Sequence, residues 1–142
     1  MARRSSSTKR TASAAMAVPG VIVYADGAAT AAVCDADSSE AATVALRPLG
    51  ALAQSVASGA EVEILTGPGC TLVTTGAVQE GDLLVCADGT GGYVTALTAT
   101  YADTELADGD PVYVVGIAEQ TTTAAGAVLA NVAPYFYERR EA

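Results

Sequence analysis

Residues 111–132 read PVYVVGIAEQTTTAAGAVLANV, in which two apolar runs flank a polar, alanine-containing stretch. The runs at 111–118 and 127–132 are rich in valine and other residues that favour strands. Short apolar runs of this length, bounded by Pro, Thr and Gly, are typical of β-strands. The segment therefore predicts a strand, a loop and a second strand.

A similar order of residues occurs earlier in the chain. Leu49–Ala51 reads apolar, glycine, apolar; a Ser/Ala stretch follows, and Gly59–Val62 then leads into a second run, as Gly126 does later. The likeness predicts a duplicated strand–loop–strand element with a strand over Leu49–Leu52. Two alternatives stay open, because the apolar spacing over 48–57 also suits a short helix and two short low-complexity patterns can coincide by chance.

Other short runs extend this pattern along the chain. Strands are predicted at Val21–Tyr24, Glu61–Leu65, Thr71–Thr74, Leu83–Cys86 and Tyr93–Thr95. Gly-rich turn signals at 67–69 and 88–92 separate some of them. Many short strands with frequent turns predict an all-β fold, either a small barrel or a sandwich.

Charge is distributed unevenly around a net value of −9. Residues 1–10 contain four basic and no acidic side chains, whereas residues 11–137 contain fourteen acidic side chains and a single basic one, Arg47. An acidic body repels nucleic acid and anionic membranes, whereas the first ten residues would attract either. Because the body dominates, neither is expected as a direct partner. The four basic residues of the first segment are Arg3, Arg4, Lys9 and Arg10.

Composition divides the chain into three predicted parts. Residues 1–19 are rich in Ser, Thr, Ala and basic residues with little to bury, which predicts a flexible basic N-terminal arm. An organelle transit peptide and a tail without a role are the alternatives for this segment. Residues 20–137 are expected to form a single β-rich domain, and residues 138–142 a short charged tail. No run approaches the ~18 apolar residues that a membrane span needs.

The residue types that most enzyme chemistry needs are scarce. The chain has no His, which removes the commonest general base and metal ligand. Cys34, Cys70 and Cys86 lack CxxC spacing, so they are expected to be small apolar core residues and not a zinc site or a closed disulfide framework. We therefore expect a protein without catalytic residues, cofactor or metal.

Three aromatic residues, Tyr135, Phe136 and Tyr137, close the predicted domain directly before a Glu-Arg-Arg run. One interpretation is a terminal strand that packs on the core. The other is an interface anchor, because Tyr beside Arg is a composition favoured at protein contacts.

Gly81–Val85, followed by a Gly-rich turn and Tyr93–Ala96, resembles a common element of tailed-phage capsid decoration, or cement, proteins. Gly109–Ala118, running on to Ala125–Leu129, resembles the same family. The resemblance covers roughly residues 48–132 and rests on Gly/Ala/Val patterns.

Proteins of that family are small β-rich domains, often of the β-tulip kind, without catalytic activity. The resemblance implies a virion protein, made in the host cytoplasm, that binds the outer capsid surface between major capsid protein subunits, commonly as a homotrimer. It also implies that the basic arm contacts the coat through Arg3, Arg4, Lys9 and Arg10.

Two other classes of function are alternatives. A self-assembling structural or surface protein would need no phage shell. A β-barrel small-ligand or carrier module is suggested by the turn and strand at Gly81–Leu84, which are similar to those of biotin- or lipoate-carrying domains. Such carriers need a Lys at a hairpin tip, and the only Lys of this chain is Lys9.

Overall fold

The computed structural model describes residues 6–25, 30–33, 48–86, 92–97 and 111–139. The nine elements with bounds in these ranges are all strands, which confirms the all-β prediction. They are β1 (Ser6–Ala12), β2 (Ile22–Ala25), β3 (Thr30–Val33), β4 (Pro48–Leu52), β5 (Glu61–Thr74), β6 (Leu83–Cys86), β7 (Val94–Ala96), β8 (Pro111–Ala118) and β9 (Gly126–Arg139).

The strands form two closed five-stranded barrels that share β5. In barrel 1 the order is β1-β3-β2-β4-β5, and pairing of β1 with β5 closes the ring. In barrel 2 the order is β5-β7-β6-β8-β9, and pairing of β5 with β9 closes the ring. Each ring contains one parallel pair, β1–β3 in barrel 1 and β5–β7 in barrel 2, and its remaining pairs are antiparallel. The two barrels therefore share strand order and pairing directions.

Backbone hydrogen bonds repeat from barrel to barrel. In barrel 1 the Gly20 amide donates to the Leu52 carbonyl at 2.9 Å. In barrel 2 the Gly81 amide donates to the Ala118 carbonyl at 2.8 Å. Both bonds join a residue just before the barrel's second strand in chain order, β2 or β6, to the last residue of its fourth strand, β4 or β8. Gly20 therefore corresponds to Gly81, and Leu52 corresponds to Ala118.

The connections after the fourth strands correspond in the same way. The Ala53 amide donates to the Glu63 carbonyl at 3.0 Å, and the Glu119 amide donates to the Leu129 carbonyl at 2.8 Å. One isolated antiparallel bridge accompanies each barrel: Met16 with Val56, and Val78 with Thr122. The predicted duplication of a strand–loop–strand element is therefore confirmed, and it extends to the whole barrel.

A close approach between strands requires glycine at the same place in both barrels. A Cβ added to Gly50 of β4 would lie 2.6 Å from the Leu65 carbonyl oxygen of β5, well inside van der Waals contact. A Cβ added to Gly116 of β8 would overlap the Asn131 carbonyl of β9. These two glycines are the centre of the apolar–glycine–apolar pattern, which explains why both copies carry it.

Each barrel has its own hydrophobic core. The buried residues of the barrel 1 core are Ala12, Met16, Val21, Val23, Ala31, Leu52, Val62 and Ile64. The larger core of barrel 2 is built mainly from β5, β6, β8 and β9, with Leu72, Leu84, Val114 and Val128 all fully buried. Two residues of barrel 1, Ile22 and Ala51, join that second core, so barrel 1 packs one outward face against barrel 2.

The structure confirms one strand prediction and changes another. Residues 48–52 form β4, so the strand is confirmed and the helical alternative is wrong. The strands predicted separately at Glu61–Leu65 and Thr71–Thr74 are one strand, β5. The turn signal between them is a register shift between Gly67 and Cys70, where β5 leaves barrel 1 and enters barrel 2.

The flexible arm predicted over residues 1–19 needs correction for residues 6–19. Residues 6–12 are β1, the first strand of barrel 1, and Ala12 and Met16 are each only 2 % exposed. The strand was missed because its side chains are mostly polar, and backbone pairing with β5 and β3 holds it in place. Residues 1–5 lie outside the described residues.

Candidate interaction surfaces

The four basic residues predicted to contact a partner are separated by the structure. Lys9 and Arg10 belong to β1, where their Cα atoms pair with Glu63 and Val62 of β5. The Arg10 side chain is half-buried. Arg3 and Arg4, like the Lys9 side chain, lie outside what the structure describes, so the contact of the four basic residues with a partner stays a prediction.

The three aromatic residues near the end of the chain lie in β9. Tyr135 is 43 % exposed and Tyr137 is 38 % exposed. The backbone of Phe136 pairs with Tyr113 of β8, and its side chain is outside the described part. The three residues therefore lie in a strand, but Tyr135 and Tyr137 are exposed and do not pack on the core. The interface interpretation stays a prediction.

The second half of β9 runs beyond the barrel that this strand helps to close. The final pair between β5 and β9 joins Gly67 to Val132, yet β9 continues to Arg139. Over this extension β9 pairs with β8, ending with Pro111 opposite Arg139. The first two residues of the tail predicted at 138–142 therefore belong to a strand, and 140–142 lie outside the described residues.

An exposed apolar surface was not predicted from the sequence. Ile117 of β8 is 42 % exposed, and its Cα pairs with that of half-buried Leu83 on β6. Tyr137 of β9 lines the same open groove of about 270 Å³ as Leu83. We call Leu83, Ile117, Tyr135 and Tyr137 the end face.

The corresponding face of barrel 1 is covered. The register that pairs Leu83 with Ile117 in barrel 2 pairs Ile22 with Ala51 in barrel 1. Ile22 is 0 % exposed and Ala51 is 1 % exposed, because both pack into the barrel 2 core. The end face therefore corresponds in barrel 2 to the surface through which barrel 1 contacts barrel 2. The described residues form no further barrel that covers it.

The outward side of the fifth strand also differs in charge. Barrel 1 carries Glu61 and Glu63 on β5, and the corresponding residues of β9 are Ala127 and Leu129. From Gly126 to Tyr137 β9 has no charged residue, and β8 has none over its whole length. In a chain of net charge −9, these two strands form an uncharged surface.

The remaining chemical groups give no second site. Cys70 and Cys86 are buried in the barrel 2 core, as predicted for small apolar residues, and Cys34 is outside the described residues. In the part of the chain that the structure describes, no three His, Cys, Asp or Glu side chains group closely enough to hold a metal ion. No described helix is long and apolar enough to cross a membrane.

Comparison with known proteins finds a shared fold. No family model matches the chain, and no curated protein matches its sequence. Among solved structures, the head fiber gp8.5 N base of bacteriophage phi29 matches with a TM-score of 0.53 and 13 % identity. The match covers 95 % of this chain and 99 % of that one. Because the identity is this low, the likeness shows a common all-β architecture along almost the whole of both chains.

Proposed function

We propose that this protein is a non-enzymatic structural protein of a phage head, a decoration or cement protein that binds the outer surface of the shell. The observation that carries the proposal is the match along 95 % of the chain to the base of a phage head fiber. The resemblance of residues 81–96 and 109–129 to decoration proteins supports it independently.

The proposed partner is the major capsid protein. A shell presents the same coat surface many times, so several weak contacts per molecule add up when copies bind together. Surface contact of this kind needs exposed apolar and charged groups and no reacting side chain. The basic residues Arg3 and Arg4 supply charged groups for such a contact, and a homo-oligomer, with a trimer favoured, would multiply them.

The positive charge of Arg3 and Arg4 supports their proposed role in binding the coat. The rest of the chain is strongly acidic, so a basic segment is attracted to acidic coat surface while the body is not. The guanidinium groups can donate charge-assisted hydrogen bonds to carboxylates of the coat. We expect attachment through this segment to weaken as salt rises.

Co-sedimentation with purified shells tests the proposal. The full chain should pellet with shells that lack it, at a fixed number of copies per shell, and should remain in the supernatant alone. Arg3→Glu should reduce the bound fraction, and Arg3→Glu with Arg4→Glu should reduce it further. Arg47→Glu, which makes the same charge change as Arg3→Glu elsewhere in the chain, should not reduce it. If the wild-type chain stays in the supernatant at saturating shell concentration, shell binding is wrong; if the double variant binds normally, only the role of the basic segment is wrong.

A self-assembling structural protein is the second candidate, and the uncharged end face favours it. Such a protein would form extended assemblies by itself, visible by electron microscopy without any shell. The carrier-module alternative finds no support in the position of Lys9, which lies inside β1 and not at a hairpin tip.

A further inference from the structure

The contact between the two barrels shows how a surface like the end face is buried within this protein. In barrel 1 the corresponding residues, Ile22 and Ala51, are buried by another barrel of the same construction. In barrel 2, Ile117 occupies the position of Ala51 and is 42 % exposed. Ile117 is thus both larger and more exposed than Ala51. Repeat proteins normally carry polar residues on the outer face of a terminal repeat, so an exposed isoleucine here indicates a surface that is covered by a partner.

The extension of β9 repeats a second feature of the barrel junction. Beyond Thr66, β5 continues into barrel 2, where its next residues pair with β9. Beyond Val132, β9 continues in the same way, but it pairs with β8 on one edge and with no described strand on the other. A two-stranded ribbon is only marginally stable in water, so an edge of this kind is a natural place for a further strand to add.

The grooves beside the two continuations also correspond. Gly20 and Thr71 line an open groove of about 280 Å³ beside barrel 1. Gly81 and Tyr137 line the groove of about 270 Å³ beside barrel 2. The β9 extension thus lies against barrel 2 as the second half of β5 lies against barrel 1, and Tyr137 replaces a threonine at the exposed position.

The distribution of charge favours a second copy of this chain as the partner at the end face. Two copies of a chain with net charge −9 repel each other over most of their surface. The β8–β9 surface is without charge up to Glu138, which is followed by Arg139, so this segment is neutral as a whole. Asp82 lines the groove that Leu83 and Tyr137 share, so the uncharged area is the β8–β9 strand pair. A second copy meets less repulsion there than over the acidic remainder of the chain.

We propose that the end face binds a second copy of this chain, end face against end face, with the outer edges of the two β9 extensions pairing antiparallel. Pairing centred on Phe136 places the tyrosines of the two copies opposite each other, and aromatic cross-strand pairs of this kind stabilise sheets. Main-chain hydrogen bonds across the edges supply the remaining contacts. The inference goes beyond shell binding, and it is tested without shells, so its failure and the failure of the proposed function are separate results.

Sedimentation equilibrium of the full chain tests this inference. The wild-type protein should reach the mass of two chains, and Tyr137→Ser and Ile117→Ser should each raise the dissociation constant about tenfold or more. A mass of three chains, which the trimer favoured for shell binding would give, overturns this two-fold pairing. The matched control is Val18→Ser, which removes an apolar side chain of similar exposure, 39 %, from barrel 1; it should leave the dissociation constant unchanged. A wild-type mass of one chain at all concentrations overturns the inference, as does an assembly that both end-face variants leave intact.

Hydrogen exchange provides a measurement that does not depend on variants. The amides of residues 133–139 in the wild-type chain should exchange more slowly at high protein concentration than at low concentration, because pairing of the β9 edges protects them. Amides of β1 serve as the internal control and should exchange equally at both concentrations. Equal exchange of residues 133–139 at both concentrations, in a sample that does self-associate, overturns the proposed pairing.

Discussion

Barrel 1 and barrel 2 share strand order, pairing directions, connecting hydrogen bonds and a glycine at each fourth strand, yet their outward faces differ. Barrel 1 has Glu63 where barrel 2 has Leu129, and buried Ala51 where barrel 2 has exposed Ile117. The shared strand topology thus depends on the inward-facing residues and on the close strand contacts at Gly50 and Gly116, which both barrels retain. The outward residues are free to change, and the proposed binding functions depend on them.

The largest expected effect comes from removing the first strand of barrel 1. A chain lacking residues 1–12 loses β1, which opens barrel 1 and exposes the core that Ala12 and Met16 help to fill. We expect a loss of several kcal/mol, a large part of the ~5–15 kcal/mol that stabilises a typical domain. Urea denaturation measures it, and a chain lacking only residues 1–5 is the control. Equal stability of the two truncated chains would mean that β1 contributes nothing to barrel 1.

Core truncation should affect the two barrels alike. Ile64 of barrel 1 is 1 % exposed and Leu84 of barrel 2 is 0 % exposed. Ile64→Ala and Leu84→Ala should each lower the free energy of unfolding by about 2–5 kcal/mol. Because the residues belong to separate cores, the double variant should be additive within about 0.5 kcal/mol. A larger coupling energy in the double variant would show that the cores act as one.

Each repeated glycine should be needed in its own barrel. Gly50→Ala and Gly116→Ala drive a methyl group into a neighbouring carbonyl, which we expect to destabilise the protein by about 1–3 kcal/mol. Gly76→Ala is the matched control, since a Cβ there meets nothing within 4 Å. Thermal denaturation of the three variants decides the point, and an unchanged melting temperature for Gly50→Ala or Gly116→Ala argues against the close approach.

A smaller effect is expected from a buried hydroxyl group that β5, the first strand of barrel 2 in chain order, has and β1, the first strand of barrel 1, lacks. Thr74 of β5 is buried, and its hydroxyl donates to the Gly126 carbonyl at 3.1 Å and accepts from the Gly126 amide at 3.2 Å. The corresponding residue of β1 is Ala12, which has no hydroxyl. Thr74→Val should cost about 1 kcal/mol in the free energy of unfolding. Thr71→Val, at an exposed position of the same strand, should change it much less, and equal losses would remove the role of the hydroxyl.

Exchanging outward residues should have the smallest effect on folding. Leu129→Glu gives barrel 2 the residue that barrel 1 carries at Glu63, and we expect the free energy of unfolding to change by no more than about 0.5 kcal/mol. Glu63→Leu is the reciprocal variant and should be equally neutral. A loss above 2 kcal/mol for Leu129→Glu, measured by urea denaturation, would mean that this outward position belongs to the packing of the barrel.

Sequence patterns predicted the strands whose inward faces are apolar, such as β4, β6 and β8, because alternation and turn residues are local signals. They did not predict β1, whose polar side chains hide a strand held by backbone pairing. They also did not join the two halves of β5, because Gly and Pro signal a turn as readily as a bulge. The end face was missed since exposure of Ile117 depends on which barrel covers which face, a tertiary property absent from local sequence.

Electron cryomicroscopy of shells prepared with and without the protein measures its attachment most directly. We predict additional density on the outer surface of the shells, at repeated positions between coat subunits, into which both barrels fit. Identical maps from the two preparations, at protein concentrations that saturate any binding, would contradict the assignment of this protein to the phage head surface.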